Sequence, residues 1–131
     1  MARHTEDMST VQKWGEALPK GWYHVRADKV TEGMSSTNNP VVNINWKVQE
    51  EPYVGRIIFD NPSLQPHALA KLKAIYEAVD YLPGPEGHDP EEITGRECYV
   101  YADQEVYEGV VRNKITPTGY RGLSRGKPAA A

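Results

Sequence analysis

Residues 41–48, Val-Val-Asn-Ile-Asn-Trp-Lys-Val, alternate between apolar and polar side chains over almost their whole length. A period of two is typical of a β-strand that buries one face and leaves the other open to solvent or to a ligand. The pattern predicts Val42, Ile44, Trp46 and Val48 on the buried face and Asn43, Asn45 and Lys47 on the open face. Trp46 is therefore expected in the core and not on a binding surface.

Two further strands are predicted beside this one. In residues 22–28 the set Tyr23, Val25 and Ala27 alternates with the set Trp22, His24, Arg26 and Asp28, which again indicates a half-buried strand. Residues 31–40 are dense in Gly, Ser and Asn and predict the connecting loop. Residues 53–60 predict a third strand, with Ile57 and Phe59 on the side opposite to Arg56 and Ile58.

Residues 64–81 change to helical spacing, because Leu69, Leu72, Ile75 and Val79 recur every three or four positions. The Pro- and Gly-rich residues 83–87 end this helix. Residues 89–92 have the acid and proline of a helix start, but only one turn fits before Gly95. Residues 96–102 and 106–115 alternate again and predict a hairpin with its turn at 103–105. Gly109 within it indicates a bulge or a close approach of another backbone.

The predicted order is three strands, one helix and two strands. This is the order of the OB-fold, a small Greek-key barrel whose second and third strands bind oligonucleotides. We therefore expect a mainly β protein, a five-stranded OB-fold-like barrel with one helix between the third and fourth strands. An SH3-like barrel lacks the long helix, and a split β-α-β fold needs a second one. The predicted organisation is a flexible arm (1–18), the barrel (19–120) and a disordered basic tail (121–131).

Length and composition limit the class of protein. The 131 residues fit one domain that can bury a core without metal or disulfide. The single cysteine, Cys98, cannot form an intramolecular disulfide and is compatible with a reducing compartment. No apolar run approaches the roughly 20 residues of a membrane span, and the N-terminus is too polar for a signal peptide. The expected location is the cytoplasm, with no membrane partner.

Charge is distributed unevenly along the chain. The net charge is −3, yet five of the 15 basic residues and none of the 18 acidic residues lie in 109–131, which leaves residues 1–108 with a net charge of −8. This balance argues against a protein that coats DNA through a uniformly basic surface. It leaves room for a local contact with a polyanion.

Signatures of enzymes and metal sites are weak. The histidines His4, His24, His67 and His88 show no metal-ligand spacing, and Cys98 has no CxxC partner. No glycine pattern matches a phosphate-binding loop. The acidic residues Asp89, Glu91, Glu92 and Glu97 are better explained as a solvated helix cap than as acid–base or magnesium ligands. We expect no cofactor and no enzymatic activity.

Binding a single strand without reading its sequence requires rings for base stacking and cations for phosphates. The chain has eight Tyr and three Trp but one Phe, so most of its rings tolerate water. The candidate binding residues are Trp22, Arg26, Asn43, Asn45, Lys47, Arg56, Tyr99, Tyr101, Arg112 and Lys114. Cross-strand pairing on an exposed sheet would explain the tyrosines equally well.

Five segments carry a family resemblance: residues 18–23 (Leu-Pro-Lys-Gly-Trp-Tyr), 43–48 (Asn-Ile-Asn-Trp-Lys-Val), 55–60 (Gly-Arg-Ile-Ile-Phe-Asp), 94–100 (Thr-Gly-Arg-Glu-Cys-Tyr-Val), and 107–109 (Tyr-Glu-Gly) followed by 112–113 (Arg-Asn). Over roughly residues 18–120 the chain resembles a family of small bacteriophage proteins of formally unknown function. These proteins are encoded in replication and recombination cassettes and are taken to be OB-folds that bind single-stranded DNA. The resemblance implies the same fold and activity, in the host cytoplasm, but no role for any particular residue.

The combined expectation is a non-enzymatic protein that binds single-stranded DNA in phage replication or recombination. A homo-oligomer and contacts with phage or host replication and recombination proteins are left open. The alternative is a protein–protein interaction module or a small virion component that uses the same barrel. The acidic residues 1–108 favour this alternative, because an acidic surface repels DNA outside a focused positive stripe.

Overall fold

The structure, a computed structural model, describes residues 17–128. Within that part the chain is mainly β. Its strands are β1 (Gly21–Met34), β2 (Pro40–Val48), β3 (Ile57–Asp60), β4 (Glu97–Tyr107), β5 (Val110–Lys114) and β6 (Tyr120–Arg121). Its α-helix is α1 (Ala70–Ala78), and short 3₁₀ helices span Pro66–Ala68, Pro90–Ile93 and Leu123–Arg125. None of the helices in 17–128 is long and apolar enough to cross a membrane.

The strands form one antiparallel sheet in the order β3-β2-β1-β4-β5, and β6 pairs with β4. The long strand β1 pairs with β4 over residues 21–26 and with β2 over residues 25–34, and its register shifts between Ala27 and Lys29. Such an irregularity bends a strand and increases its twist. The sheet curves around the core, so that its edge strands β3 and β5 approach each other.

The predicted buried faces are confirmed. Trp46 is completely buried. Its alternating neighbours on β2 and the inward residues of β1 and β4 are buried as well; these are Val42, Ile44, Val48, Tyr23, Val25, Ala27, Cys98, Val100 and Ala102. Helix α1 is shorter than the helical spacing of 64–81 suggests, and it adds Leu72, Ile75 and Tyr76 to the same core. The Asp89 side chain caps the turn at Pro90–Ile93 by accepting a hydrogen bond from the Glu91 N–H, as predicted.

Two turns differ from the prediction. The first loop covers only residues 35–39, because residues 31–34 continue β1 and pair with β2. The β4–β5 hairpin turns at Glu108 and Gly109 and not at 103–105, and both turn residues have positive φ, 50° and 79°. A two-residue hairpin turn with positive φ at both positions matches the twist of the flanking strands. The shift pairs Asp103 with Lys114 and Glu105 with Arg112 across the hairpin.

The predicted number of strands, five, differs from the six in the structure. The additional strand β6 pairs with β4 at Tyr99 and Val100, next to the part of β4 that pairs with β5. Residues 115–119, which include Pro117, separate β5 from β6, and a proline cannot donate a ladder hydrogen bond. Strand β6 thus lies beyond the predicted fifth strand (106–115), whose residues 106–107 belong to β4 and 110–114 to β5.

The chain ends also differ from the expected arm and tail. Leu18 is buried, and its backbone N–H and C=O are hydrogen-bonded to the Asn113 side chain. Residues 121–128, expected to be disordered, continue β6 and form the 3₁₀ turn, and the Lys127 ammonium contacts the Glu50 carboxylate at 2.9 and 3.1 Å. The expectations for residues 1–16 and 129–131 fall on residues outside the described range.

The Glu50–Lys127 pair gives the C-terminal segment a pH-dependent attachment. Partial burial raises the pKa of Glu50, but the Lys127 ammonium, the His24 N–H and the His24 charge together outweigh burial and lower it. A carboxyl with a lowered pKa in the folded state stabilises the fold above its unfolded pKa. That contribution disappears as the pH falls through the folded pKa.

We therefore expect Lys127→Ala to cost up to about 1 kcal/mol of unfolding free energy at pH 7, because exposed ion pairs contribute this little. The cost should disappear as the pH falls through the lowered pKa of Glu50, because the protonated carboxyl no longer attracts the ammonium. Urea unfolding at pH 7 and at a series of acidic pH values measures this loss. Arg125→Ala, which removes the same charge from the same segment, is the control. Equal losses for the two variants at pH 7 would contradict the attachment.

Candidate functional site

A cleft of about 650 Å³ lies between β3 and β5, where the two edges of the sheet approach each other. Its walls are the outer faces of β2 and β3 on one side and β5 on the other, and its floor includes Asp60 and Lys71. Ala17, the first described residue, also lines it. The cleft exists because β1 bends and brings together two strands that are far apart in the order of the sheet.

Five of the ten predicted binding residues line this cleft. They are Asn43, Asn45, Arg56, Arg112 and Lys114. The lining residues include four basic and two acidic side chains, so the cleft is positive although the whole protein has a net charge of −3. Lys114 makes no ion pair with another residue of 17–128. A positive groove on an acidic protein is where a polyanion would bind.

Lys71 and Arg112 form ion pairs with acidic residues of the cleft. The Lys71 ammonium lies 2.8 Å from Asp60 Oδ1, and that carboxylate is almost completely buried. The Arg112 Nε donates to Glu105 Oε1 at 2.8 Å, and both side chains are partly exposed. The Arg112 guanidinium also lies over the Tyr107 ring, 4.2 Å from its centroid. Glu105 and Tyr107 thus fix Arg112 at the side of the cleft.

The cleft has an exposed ring, Phe59, that is not among the binding residues predicted from the sequence. Phe59 on β3 is 61% exposed and lies opposite Asn45 of β2. It makes no ring–ring contact with another residue in the described part of the chain. The available signal was the alternation of β3, which places Phe59 on one side and Ile58 on the other. That pattern does not say which side is buried.

The three predicted stacking rings lie elsewhere. Trp22 and Tyr101 face each other across β1 and β4 with ring centroids 5.6 Å apart. The ring centroids of Tyr99 and His24, the next pair on the same face of these strands, are 5.7 Å apart. These rings are half-buried against one another on the outside of the β1–β4 pair and do not line the cleft. Trp22, Tyr99 and Tyr101, predicted as stacking rings, therefore do not lie beside the cations of the cleft. They form the cross-strand ladder that was the competing interpretation.

The last two predicted residues, Arg26 and Lys47, lie between these regions. They face each other across β1 and β2 on the outer side of the sheet, and Lys47 also faces Ile57 of β3. Arg26 pairs with Asp28 at 2.9 Å, whereas Lys47 makes no ion pair with any residue of 17–128. Lys47 thus extends the open face of β2 beyond the cleft, while Arg26 is partly neutralised.

A buried carboxylate holds the floor of the cleft together. Asp60 is 6% exposed and is the one buried charged residue in the described part of the chain. The Trp46 indole N–H donates to its Oδ2 at 3.2 Å, and the Tyr120 hydroxyl donates to the same oxygen. Burial, and next the charge of Asp60, raise the pKa of Tyr120, so its hydroxyl remains a donor. Asp60 thereby joins β3, β2, β6 and α1 below the candidate binding surface.

Groups that could suggest catalysis are dispersed. Cys98 is buried and burial raises the pKa of its thiol, which makes it a poor nucleophile. Glu97 pairs with His24 at 2.6 Å on the β1–β4 face. Glu32, Asp89 and Glu91 bring carboxylate oxygens within 4.8 Å of one another, but all three are exposed. Glu32 lies on β1, whereas Asp89 and Glu91 lie at the start of the 3₁₀ helix Pro90–Ile93, and exposed acidic groups commonly occur together without a metal ion.

Comparison of the chain with protein-family models and with curated proteins finds no match.

Proposed function

We propose that this protein binds single-stranded DNA without sequence specificity in the cleft between β3 and β5, and that it has no enzymatic activity of its own. The observation that carries the proposal is a positive cleft with an exposed phenylalanine on an otherwise acidic protein. Phosphates would contact Arg56, Arg112 and Lys114, and a base would stack on Phe59. Non-specific binders of single strands combine these two features.

The strand order supports an OB-fold-like Greek-key barrel. Such a barrel has its helix between the third and fourth strands and binds nucleic acid across the second and third strands, beside the loops after the first and fourth. Here Asn43 and Asn45 lie on the second strand, Phe59 on the third, and the turn at 108–109 follows the fourth. The split strand β5–β6 takes the place of the fifth.

Unpaired bases are the expected ligand rather than a duplex. A ring at the surface of a sheet can stack on the face of a base only where that face is not already stacked on its neighbours. The two asparagines beside Phe59 can donate and accept hydrogen bonds with any base or phosphate, which suits tolerance of sequence. The resemblance to the bacteriophage family supports a role in phage DNA replication or recombination.

Salt dependence of affinity tests the phosphate contacts. Three cleft cations that neutralise three phosphates predict that log K falls with log salt with a slope of about −2, at roughly 0.7 per phosphate for a single strand. Lys114→Gln should weaken binding and reduce the magnitude of this slope by about 0.7. Fluorescence anisotropy of a labelled oligo-dT at several salt concentrations measures both quantities.

The control for this experiment is Lys73→Gln, which removes the same charge from the exposed side of α1, outside the cleft. Its slope should equal that of the wild type. A binding constant that does not depend on salt would contradict the phosphate contacts, and so would equal slopes for the two variants. A duplex of matching sequence that binds as tightly as oligo-dT would contradict the preference for single strands.

One observation favours a protein-interaction module as a second function. The tip of the β4–β5 hairpin exposes Val106, Tyr107, Val110 and Val111, each to between 44% and 70%. These side chains lie on both faces of a two-stranded ribbon, and exposed apolar ribbons are common sites of pairing with another chain. Failure to bind oligo-dT at low salt, together with self-association in analytical sedimentation, would favour this function over DNA binding.

A further inference from the structure

The pair Glu105–Arg112 lies within the proposed binding site, and its geometry has a consequence for affinity. Both side chains line the cleft, and the hydrogen bond uses the Nε–H of Arg112. The Arg112 side chain is 51% exposed, and the terminal amino groups of its guanidinium make no hydrogen bond to another residue of 17–128. Tyr107 lies under the plane of the group.

A guanidinium binds phosphate best through two parallel N–H donors. On the Nε edge of Arg112 that arrangement is occupied by Glu105, because Nε already donates to its carboxylate. A phosphate on the opposite edge of the guanidinium would be a second anion on a group that already binds the Glu105 carboxylate. In either arrangement the Glu105 carboxylate opposes the phosphate.

We propose that Glu105 is an internal competitor for the anion site on Arg112, so that a phosphodiester bound in the cleft takes over the guanidinium that Glu105 holds in the free protein. This inference rests on the proposed function. The other named cleft residues raise the affinity for DNA, whereas Glu105 lowers it. The exchange is feasible because a partly exposed ion pair is weak, while Tyr107 keeps the guanidinium in place when its carboxylate partner leaves.

The test compares Glu105→Gln with Glu108→Gln in binding to labelled oligo-dT. The amide oxygen of Gln can still accept from Arg112 Nε, so the hairpin keeps its geometry, but the competing charge is gone. Glu108 lies at the turn of the same hairpin, does not line the cleft and makes no ion pair with a described residue. Both variants change the net charge by the same amount, so their difference isolates the contact with Arg112.

Glu105→Gln should tighten binding by about two- to fivefold relative to Glu108→Gln, the range that corresponds to an exposed ion pair. The gain should disappear in the Arg112→Gln background. Equal gains for the two variants, or a persistent gain without Arg112, would show only a long-range effect of charge and would overturn the inference. Weaker binding by Glu105→Gln would also overturn it, since Glu105 would then position Arg112 for the ligand.

The same measurements distinguish the two proposals. If the wild type binds oligo-dT and the two Glu variants bind equally well, the proposed function stands and the role of Glu105 is refuted. If neither the wild type nor Glu105→Gln binds oligo-dT at low salt, both the proposed function and this inference are refuted. Thermal unfolding of each variant, expected to resemble that of the wild type, excludes an effect of misfolding.

Discussion

Replacement of Asp60 by Ala is expected to lower the free energy of unfolding by about 3 kcal/mol. The substitution leaves the Lys71 ammonium without its partner and removes the acceptor of the Trp46 indole N–H and the Tyr120 hydroxyl. Loss of one partner from a buried ion pair is far more costly than loss of an exposed pair, because the remaining groups cannot all reach water. Urea unfolding followed by circular dichroism measures the change.

Asp28→Ala is the matched control. Asp28 also pairs with a cation, Arg26, but both side chains are well exposed, so its loss should cost less than about 1 kcal/mol. Asp60→Asn gives a second measurement should the Ala variant not fold, because the amide oxygen still accepts from Trp46 and Tyr120 but carries no charge for Lys71. An Asp60→Ala protein as stable as Asp28→Ala would show that the network does not hold the strands together.

The strand pattern alone could predict much of this fold. Period-two alternation identified the buried faces of β1, β2 and β4 because each has most of its aliphatic residues on one side. In β3 the same reasoning could not choose a face, since Ile57 and Phe59 are apolar and so is Ile58 on the other side. The structure buries Ile58 with Asp60 and exposes Phe59. Asp60 can be buried only because three donors from distant segments reach it.

Long-range pairing also explains the other differences. The partners of Tyr120 and Lys127 lie 60 and 77 residues away in the chain, so the basic composition of the C-terminal segment could not indicate its order. Arg112 was predicted from the sequence only as a cation that could neutralise a phosphate. Its pairing with Glu105 depends on the register of the hairpin, which in turn depends on the positive φ of Glu108, a residue that rarely signals a turn.

The candidate site could be predicted only in part, because it too depends on contacts between segments that are far apart in the chain. Its polar residues follow from the open face of β2 and the basic composition of β5, both visible in the sequence. The stacking rings were assigned to Trp22, Tyr99 and Tyr101 because they occupy outward positions on their strands. Outward positions on a curved sheet need not face the same groove, and only the order of the strands decides which of them meet.

Replacement of Phe59 by Ala is expected to weaken binding of oligo-dT by about 1–3 kcal/mol, or roughly 5- to 150-fold in Kd. The side chain is mostly exposed, so its removal should change the free energy of unfolding by less than about 0.5 kcal/mol. The salt slope should not change, because Phe59 contacts no phosphate. Anisotropy titrations at several salt concentrations distinguish a loss of base stacking from a loss of phosphate contacts. Urea unfolding shows whether the stability of the protein has changed.

Leu82→Ala is the control for general loss of exposed apolar surface, because Leu82 is 74% exposed and lies in the loop after α1, outside the cleft. It should bind as the wild type does. Phe59→Trp should retain or improve binding, since the indole offers a larger face for a base. Equal affinity of Phe59→Ala and Leu82→Ala would show that no base stacks at this position. A change in the salt slope alone would mean that Phe59 acts on the neighbouring cations. The combination of lost affinity, constant slope and rescue by Trp is what base stacking on β3 requires.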